Sequence, residues 1–128
     1  MALLRITLGL IYLLHGYRAF HGGARGMAAY IARIGFPSEF AATLAWYLII
    51  VHVAGGVLLV LGYWTRLAAA LQLPILLSAV VLVHGKQGLD HMEFPLLVLI
   101  ATLAIALMGP GTLALDKKAG GAPRRRGV

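Results

Sequence analysis

The sequence predicts an all-α integral membrane protein. It is a four-helix bundle with both termini in the cytoplasm and a short amphipathic interfacial helix between the first two spans. Three observations predict it. Apolar residues make up 61% of the 128-residue chain and charged residues only 12%, against about 25% charged in a soluble domain. The apolar residues gather in four segments of near-spanning length, separated by Gly, Pro and charge. The basic residues divide unevenly between alternate loops, as membrane insertion dictates.

The first span is expected over residues 2–20. Arg5 precedes an apolar run, but His15, Tyr17 and Arg18 follow where a small-residue cleavage site would be, so the segment reads as a retained helix rather than a signal peptide. From Gly22 to Phe36, Met27, Tyr30, Ile31 and Ile34 recur at helical spacing with Arg25 and Arg33 between them. That is the pattern of an amphipathic helix in a membrane interface. Pro37 and Ser38 open the second span, residues 40–61, since Pro is tolerated in a first turn. Trp46 and Tyr47 lie deeper than an aromatic belt and are expected to pack against neighbours.

The third span is expected over residues 67–83. Pro74 removes a backbone donor and crowds the carbonyl of Ala70, which predicts a kink. The fourth, residues 94–108, opens on Pro95 and ends at Gly109-Pro110-Gly111. It is short, and spans with help from flanking residues or a locally thin bilayer. The membrane domain thus covers residues 1–116, and the Gly-, Pro- and Arg-rich residues 117–128 form a basic disordered cytoplasmic tail.

With four spans, one side holds seven basic residues (Arg5, Arg66 and the five of the tail) against Asp116 alone. The other holds four (Arg18, Arg25, Arg33, Lys86) against Glu39, Asp90 and Glu93. The richer side is cytoplasmic. The net charge of +7 therefore reports topology, and with no aromatic and basic surface outside the spans it predicts no nucleic-acid partner. The bilayer is the expected solvent. Gly9 and Gly16 share one helix face, and Ala45, His52 and Gly56 share another; such small-residue seams let helices approach closely. No cysteine is present, which excludes disulfides, thiolate nucleophiles and Cys-held clusters within the chain.

Five histidines remain to be placed. His15, His21, His84 and His91 gather at the outer end with Asp90 and Glu93, while His52 lies in mid-span. An ionisable group within a membrane is a candidate functional residue, although a hydrogen-bonded structural histidine is the plainer alternative for His52. Quinone binding needs hydrogen-bond partners for two carbonyls and a group that titrates near neutrality, which histidine beside a carboxylate supplies. Haem needs two facing histidines. A metal needs three or four converging ligands, and no spacing here is a metal signature, so no metal site is predicted.

Several stretches resemble the DoxX family of small four-span membrane proteins of bacteria and archaea. They are Leu-Gly-Leu-Ile-Tyr-Leu-Leu-His15-Gly16-Tyr17, Gly35-Phe-Pro37, Gly55-Gly56 followed by Leu-Leu-Val-Leu-Gly62, Thr65-Arg66-Leu-Ala, His84, Glu93-Phe94-Pro95-Leu-Leu, and Gly109-Pro110-Gly111 with Asp116 beyond. One position departs: His52 stands where the family is expected to carry a glutamate, so a role for a proton acceptor carries over and one for a permanent carboxylate does not. The resemblance implies a redox setting, since members are similar to the membrane subunits of thiosulfate:quinone oxidoreductase.

The function expected is the membrane subunit of a quinone-linked oxidoreductase, anchoring a redox partner and binding quinone near the outer leaflet of a bacterial or archaeal cytoplasmic membrane. His15 and His84 would meet the ring carbonyls, with His52 and Glu93 in proton transfer. Quinone is the expected cofactor and haem the alternative. No complete catalytic set is present, so the chain is not expected to act as an enzyme alone, and a protein partner or a homo-oligomer is expected. A non-catalytic membrane scaffold and a small-solute carrier are the competing functions.

Overall fold

The computed structural model describes residues 1–83, 89–111 and 113–116. Five α-helices occupy them, with no strand among the described residues: α1 (Ala2–His21), α2 (Ala24–Arg33), α3 (Ser38–Leu61), α4 (Thr65–Ser78, continued by a π-helical stretch Ala79–Val83) and α5 (Leu89–Met108). Segments Ser38–Leu61, Thr65–Leu82 and His91–Met108 are long and apolar enough to cross a bilayer. Helix α1 has 20 residues, about 30 Å of helix, but carries Arg5, His15 and Arg18 among them. The apolar side chains that face outward do so all round the bundle: Leu3 is 83% exposed, Leu107 70% and Leu97 65%. In water such a surface would aggregate; in lipid it is the solvated face.

The chain packs as a folded-over row, α1 against α3, α3 against α4 and α4 against α5, with α2 laid on α3. Helices α1 and α5 touch much less. The α1–α3 seam is built on glycine. A Cβ on Gly9 would stand 2.8 Å from the Gly56 carbonyl, one on Gly56 2.9 Å from the Gly9 carbonyl, and one on Gly16 3.0 Å from the Val53 nitrogen. Without side chains there, the two backbones meet directly, which is how helices gain dispersion energy in lipid. The neighbouring Gly55 faces α4, where it leaves room for the Gln72 amide; that Nε2 donates to the Val51 carbonyl at 2.9 Å.

Helix α2 is amphipathic, with Ile31 buried against Ala41 and Ala45 of α3. Of the two aromatics expected to pack against neighbours, Tyr47 does, donating from its hydroxyl to the Leu71 carbonyl at 2.9 Å. Trp46 does not: it is 49% exposed on the outward groove between α1 and α3, because adjacent helical residues point about 100° apart.

Helix α4 changes character after Pro74. Ser78 turns its hydroxyl back onto the Pro74 carbonyl at 2.8 Å, and the next residues continue as a π-helix. A missing donor and a back-bonded serine both loosen the regular ladder. Helix α5 begins at Leu89, well before the expected Phe94, so Pro95 lies inside it rather than at its start. The added turn brings in Asp90 and Glu93, acids favoured near a helix N-terminus, and extends the helix to 20 residues. His84, Lys86 and residues 117–128, expected to form the tail, lie outside the described residues.

Candidate functional site

The seam that brings α1 onto α3 also sets the histidines. Gly16 lies against the Cβ of His52, so His52 is held in mid-bundle and only 6% exposed. Its ring meets that of Tyr12 in a T-shaped contact with centroids 5.3 Å apart. Tyr12 is itself fixed by a hydrogen bond between its hydroxyl and Thr102 on α5, and Thr102 donates to the Val98 carbonyl at 2.7 Å. This pair bridges the otherwise sparse α1–α5 contact. Among the described residues His52 Nδ1 makes no hydrogen bond of good geometry, although the Leu48 carbonyl one turn back lies close enough to interact with the ring. A buried polar atom without a partner is unusual and costs about 1–3 kcal/mol.

His15 lies one turn along α1, its ring centroid 6.4 Å from that of His52. Its Nδ1 pairs with the Ile11 carbonyl at 3.0 Å. In the neutral ring this makes Nδ1 the donor and leaves Nε2 free as an acceptor.

These two rings line a cavity of about 690 Å³ between α1, α2, α3, α4 and α5. Arg18 and His91 also line it, amid mostly apolar walls such as Leu48, Ile75, Phe94 and Val98. Of the predicted site residues, His15 and His52 come together and Glu93 does not. Glu93 is exposed and off the cavity, because it is two residues from His91 on α5 and so points to nearly the opposite face. His84 lies outside the described residues. His91, expected in a loop, takes its place in the first turns of α5. Arg18 was not picked out by the sequence, although its spacing of three from His15 places both on one helix face. His21 packs against Tyr17 in a tilted ring contact with centroids 4.1 Å apart, away from the cavity. Among the described residues no three His, Asp or Glu side chains converge as a metal site.

The opposite end of the bundle is a polar lock. Helix α3 ends at Gly62, whose φ of 70° permits the turn: Tyr63 N–H donates to the Leu58 carbonyl at 3.0 Å and Gly62 N–H to Leu59 at 3.2 Å. The carbonyls of that last turn carry the negative end of the helix dipole, and Arg5 caps them. Its guanidinium, 1% exposed, donates to Leu59, to Val60 at 2.9 Å, to Pro110 at 3.2 Å and to Leu113. Asp116 does the converse for α4. Its carboxylate accepts from the N–H of Trp64 at 2.8 Å and of Thr65 at 2.9 Å. Trp64 sits at φ 45°, a left-handed conformation unfavourable for an aromatic residue, which these bonds help to hold. Desolvation pushes the Asp116 carboxyl up, but the backbone N–H groups of Thr65 and Trp64, with the Arg5 guanidinium nearby, outweigh it and leave the pKa below its ordinary value.

The DoxX family matches residues 1–85. A Bacillus subtilis (strain 168) protein named "Putative oxidoreductase CatD" is 34% identical over 115 residues, covering 89% of this chain and 82% of the relative. The Escherichia coli (strain K12) "Inner membrane protein YphA" is 29% identical over 123 residues, covering 89% of this chain and 86% of the relative. No solved structure matches the chain. With the family match over residues 1–85 and a relative 34% identical across most of both chains, the chain belongs to the DoxX family.

Proposed function

We propose that this membrane protein is a subunit of a quinone-linked oxidoreductase, that α1 is a fourth span with both termini cytoplasmic, and that the histidine-lined cavity among the five helices takes the quinone ring near the outer leaflet. The observation that carries the proposal is His52: a buried imidazole with an unpartnered ring nitrogen, lining a largely apolar cavity beside His15 and Arg18. An apolar pocket with a few convergent polar groups is the usual form of a small-molecule site. The groups also suit both redox forms of the ligand. Arg18 is a permanent donor for a ring carbonyl, and the Nε2 acceptor of neutral His15 suits the hydroxyl of a quinol. His52 and His91 offer sites for the protons that accompany reduction. Glu93, off the cavity, would serve only as a proton outlet at the surface. The oxidoreductase name of the Bacillus subtilis relative supports a redox role. Among the described residues no acid lines this cavity and no complete catalytic set does; in this reading the electrons come from a partner that the subunit anchors.

The test is direct. Purified protein is extracted with organic solvent and the extract scanned for quinone, and thermal unfolding in detergent is followed with and without added quinone. Co-extracted quinone, or stabilisation that His52→Leu abolishes, is expected. Absence of both refutes the proposal. A Soret band in the purified protein would replace the quinone with haem.

A further inference from the structure

The histidine cavity is open at one end of the bundle and closed toward the other. Arg18, Gly22, Gly26 and His91 line its mouth, and all four are exposed. His52, Leu76 and Val98 line its inner end, and all three are buried. Further from the mouth, on each of the four long helices, lies an apolar layer. In it Leu8, Leu59, Ala68, Ala69 and Ile105 are each at most 3% exposed and belong to one packed cluster with Leu76 and Val98. From Val98 to Ile105 is two turns of α5, so the layer is about 10 Å deep. The other end of the bundle has its own cavity of about 670 Å³, walled by Trp64, Arg66, Met108 and Asp116 among others. Among the described residues the two cavities share no wall residue.

Tyr12, Gln72 and Thr102 are polar and lie at the depth of this layer, but they do not carry a path through it. Thr102 gives its hydroxyl proton to the Val98 carbonyl, so Tyr12 is the donor in the Tyr12–Thr102 bond. That run of donors ends on a backbone carbonyl, which has no proton to pass on. Gln72 spends its amide on the Val51 carbonyl. Toward the mouth the case is different: His52 is followed by His15, with ring centroids 6.4 Å apart, and His15 is exposed. From this asymmetry we infer that the histidine site exchanges protons only with the compartment at the His91 end, through His52 and His15, and is sealed from the Arg66 end. The use of those protons rests on the proposed quinone function; the seal does not. An ion entering the layer loses its hydration and meets no opposite charge there to offset the loss. On the proposed topology the sealed end is cytoplasmic, so the site's protons belong to the outer compartment whichever way the redox reaction runs. A carrier, by contrast, needs a path to both sides.

The absence of native cysteine supplies the test. Ala79→Cys places a thiol in the cavity wall and Ala68→Cys one in the apolar layer, each a small-for-small change. Membrane vesicles are prepared in both orientations, each identified by labelling of His91→Cys or Arg66→Cys. A charged, impermeant methanethiosulfonate is then added from outside. Ala79→Cys is expected to react from the His91 side only, and Ala68→Cys from neither side. Reaction of Ala79→Cys from the Arg66 side, its failure to react from the His91 side, or any reaction of Ala68→Cys overturns the inference. The native chain gives a second reading that needs no variant to fold. In proteoliposomes holding a potassium gradient, with valinomycin and an internal pH dye, proton flux should equal that of protein-free liposomes. A sustained excess overturns the seal. The quinone reading stands or falls separately, on the solvent extract and the thermal shift, and its failure would leave the labelling pattern and the flux unchanged.

Discussion

Arg5 shows how much one residue can hold in a lipid-solvated protein. Its guanidinium satisfies carbonyls from α3 and from the segment after α5, and it is buried away from solvent. Arg5→Leu is expected to destabilise by about 3 kcal/mol or more, read as a lowered unfolding temperature in detergent, and Arg5→Lys to recover only part, because a point donor cannot span the same fork. Asp116 makes a pH-dependent prediction. Its folded pKa is depressed, so its stabilisation is fully present above the ordinary carboxylate value of about 3.9 and is lost as pH falls through the lower folded value. Unfolding temperature measured down an acid series should drop in that range, and Asp116→Asn should remove that component of the drop. His52 predicts the reverse of a structural histidine. His52→Leu removes an unsatisfied buried atom, so stability should stay within about 1 kcal/mol of native or rise, while quinone-induced stabilisation disappears. A large loss of stability would mark His52 as a packing residue only.

Among the elements, the α1–α3 pair is the tightest joint. Gly56→Ala would drive a methyl to within 3.0 Å of backbone atoms of α1. A backbone cannot step aside as a side chain can, and a cost of about 1–3 kcal/mol is expected, measured by denaturant unfolding in mixed micelles. The same change at exposed Gly26 in α2, with open space around it, is the control, expected to leave stability unchanged or raise it by up to about 1 kcal/mol. This seam was legible from the spacing of Gly9, Gly16 and Gly56, because helical period maps sequence onto one face. The start of α5 was less legible. Pro95 reads as a helix opening, yet Pro can also sit further in when surrounding structure compensates for the lost donor.

At the scale of the whole molecule the prediction concerns how the helices sit across the bilayer. With four spans, the Arg66 end and the His91 end face opposite compartments. The cysteine-free chain makes this easy to measure: in intact cells, an impermeant maleimide should label His91→Cys and not Arg66→Cys. Labelling of both, or of Arg66→Cys alone, would reverse or break the proposed topology and with it the outer-leaflet site. The exposed leucines around α5 and α1 are the lipid-facing surface of the same arrangement.

The sequence by itself determined the helical class, the membrane solvent, the glycine seam and the amphipathic character of α2. Each follows from local composition or period, which act over a few turns. Only the tertiary structure decided which polar side chains meet. Arg5 reaches Leu113 across 108 positions and Tyr12 reaches Thr102 across 90, distances at which no periodicity carries information. It likewise set His91 and Arg18 beside His15 and His52 and left Glu93 outside, because the rotation of each helix is fixed by close packing against its neighbours and not by its own sequence pattern, which in lipid is apolar on every side.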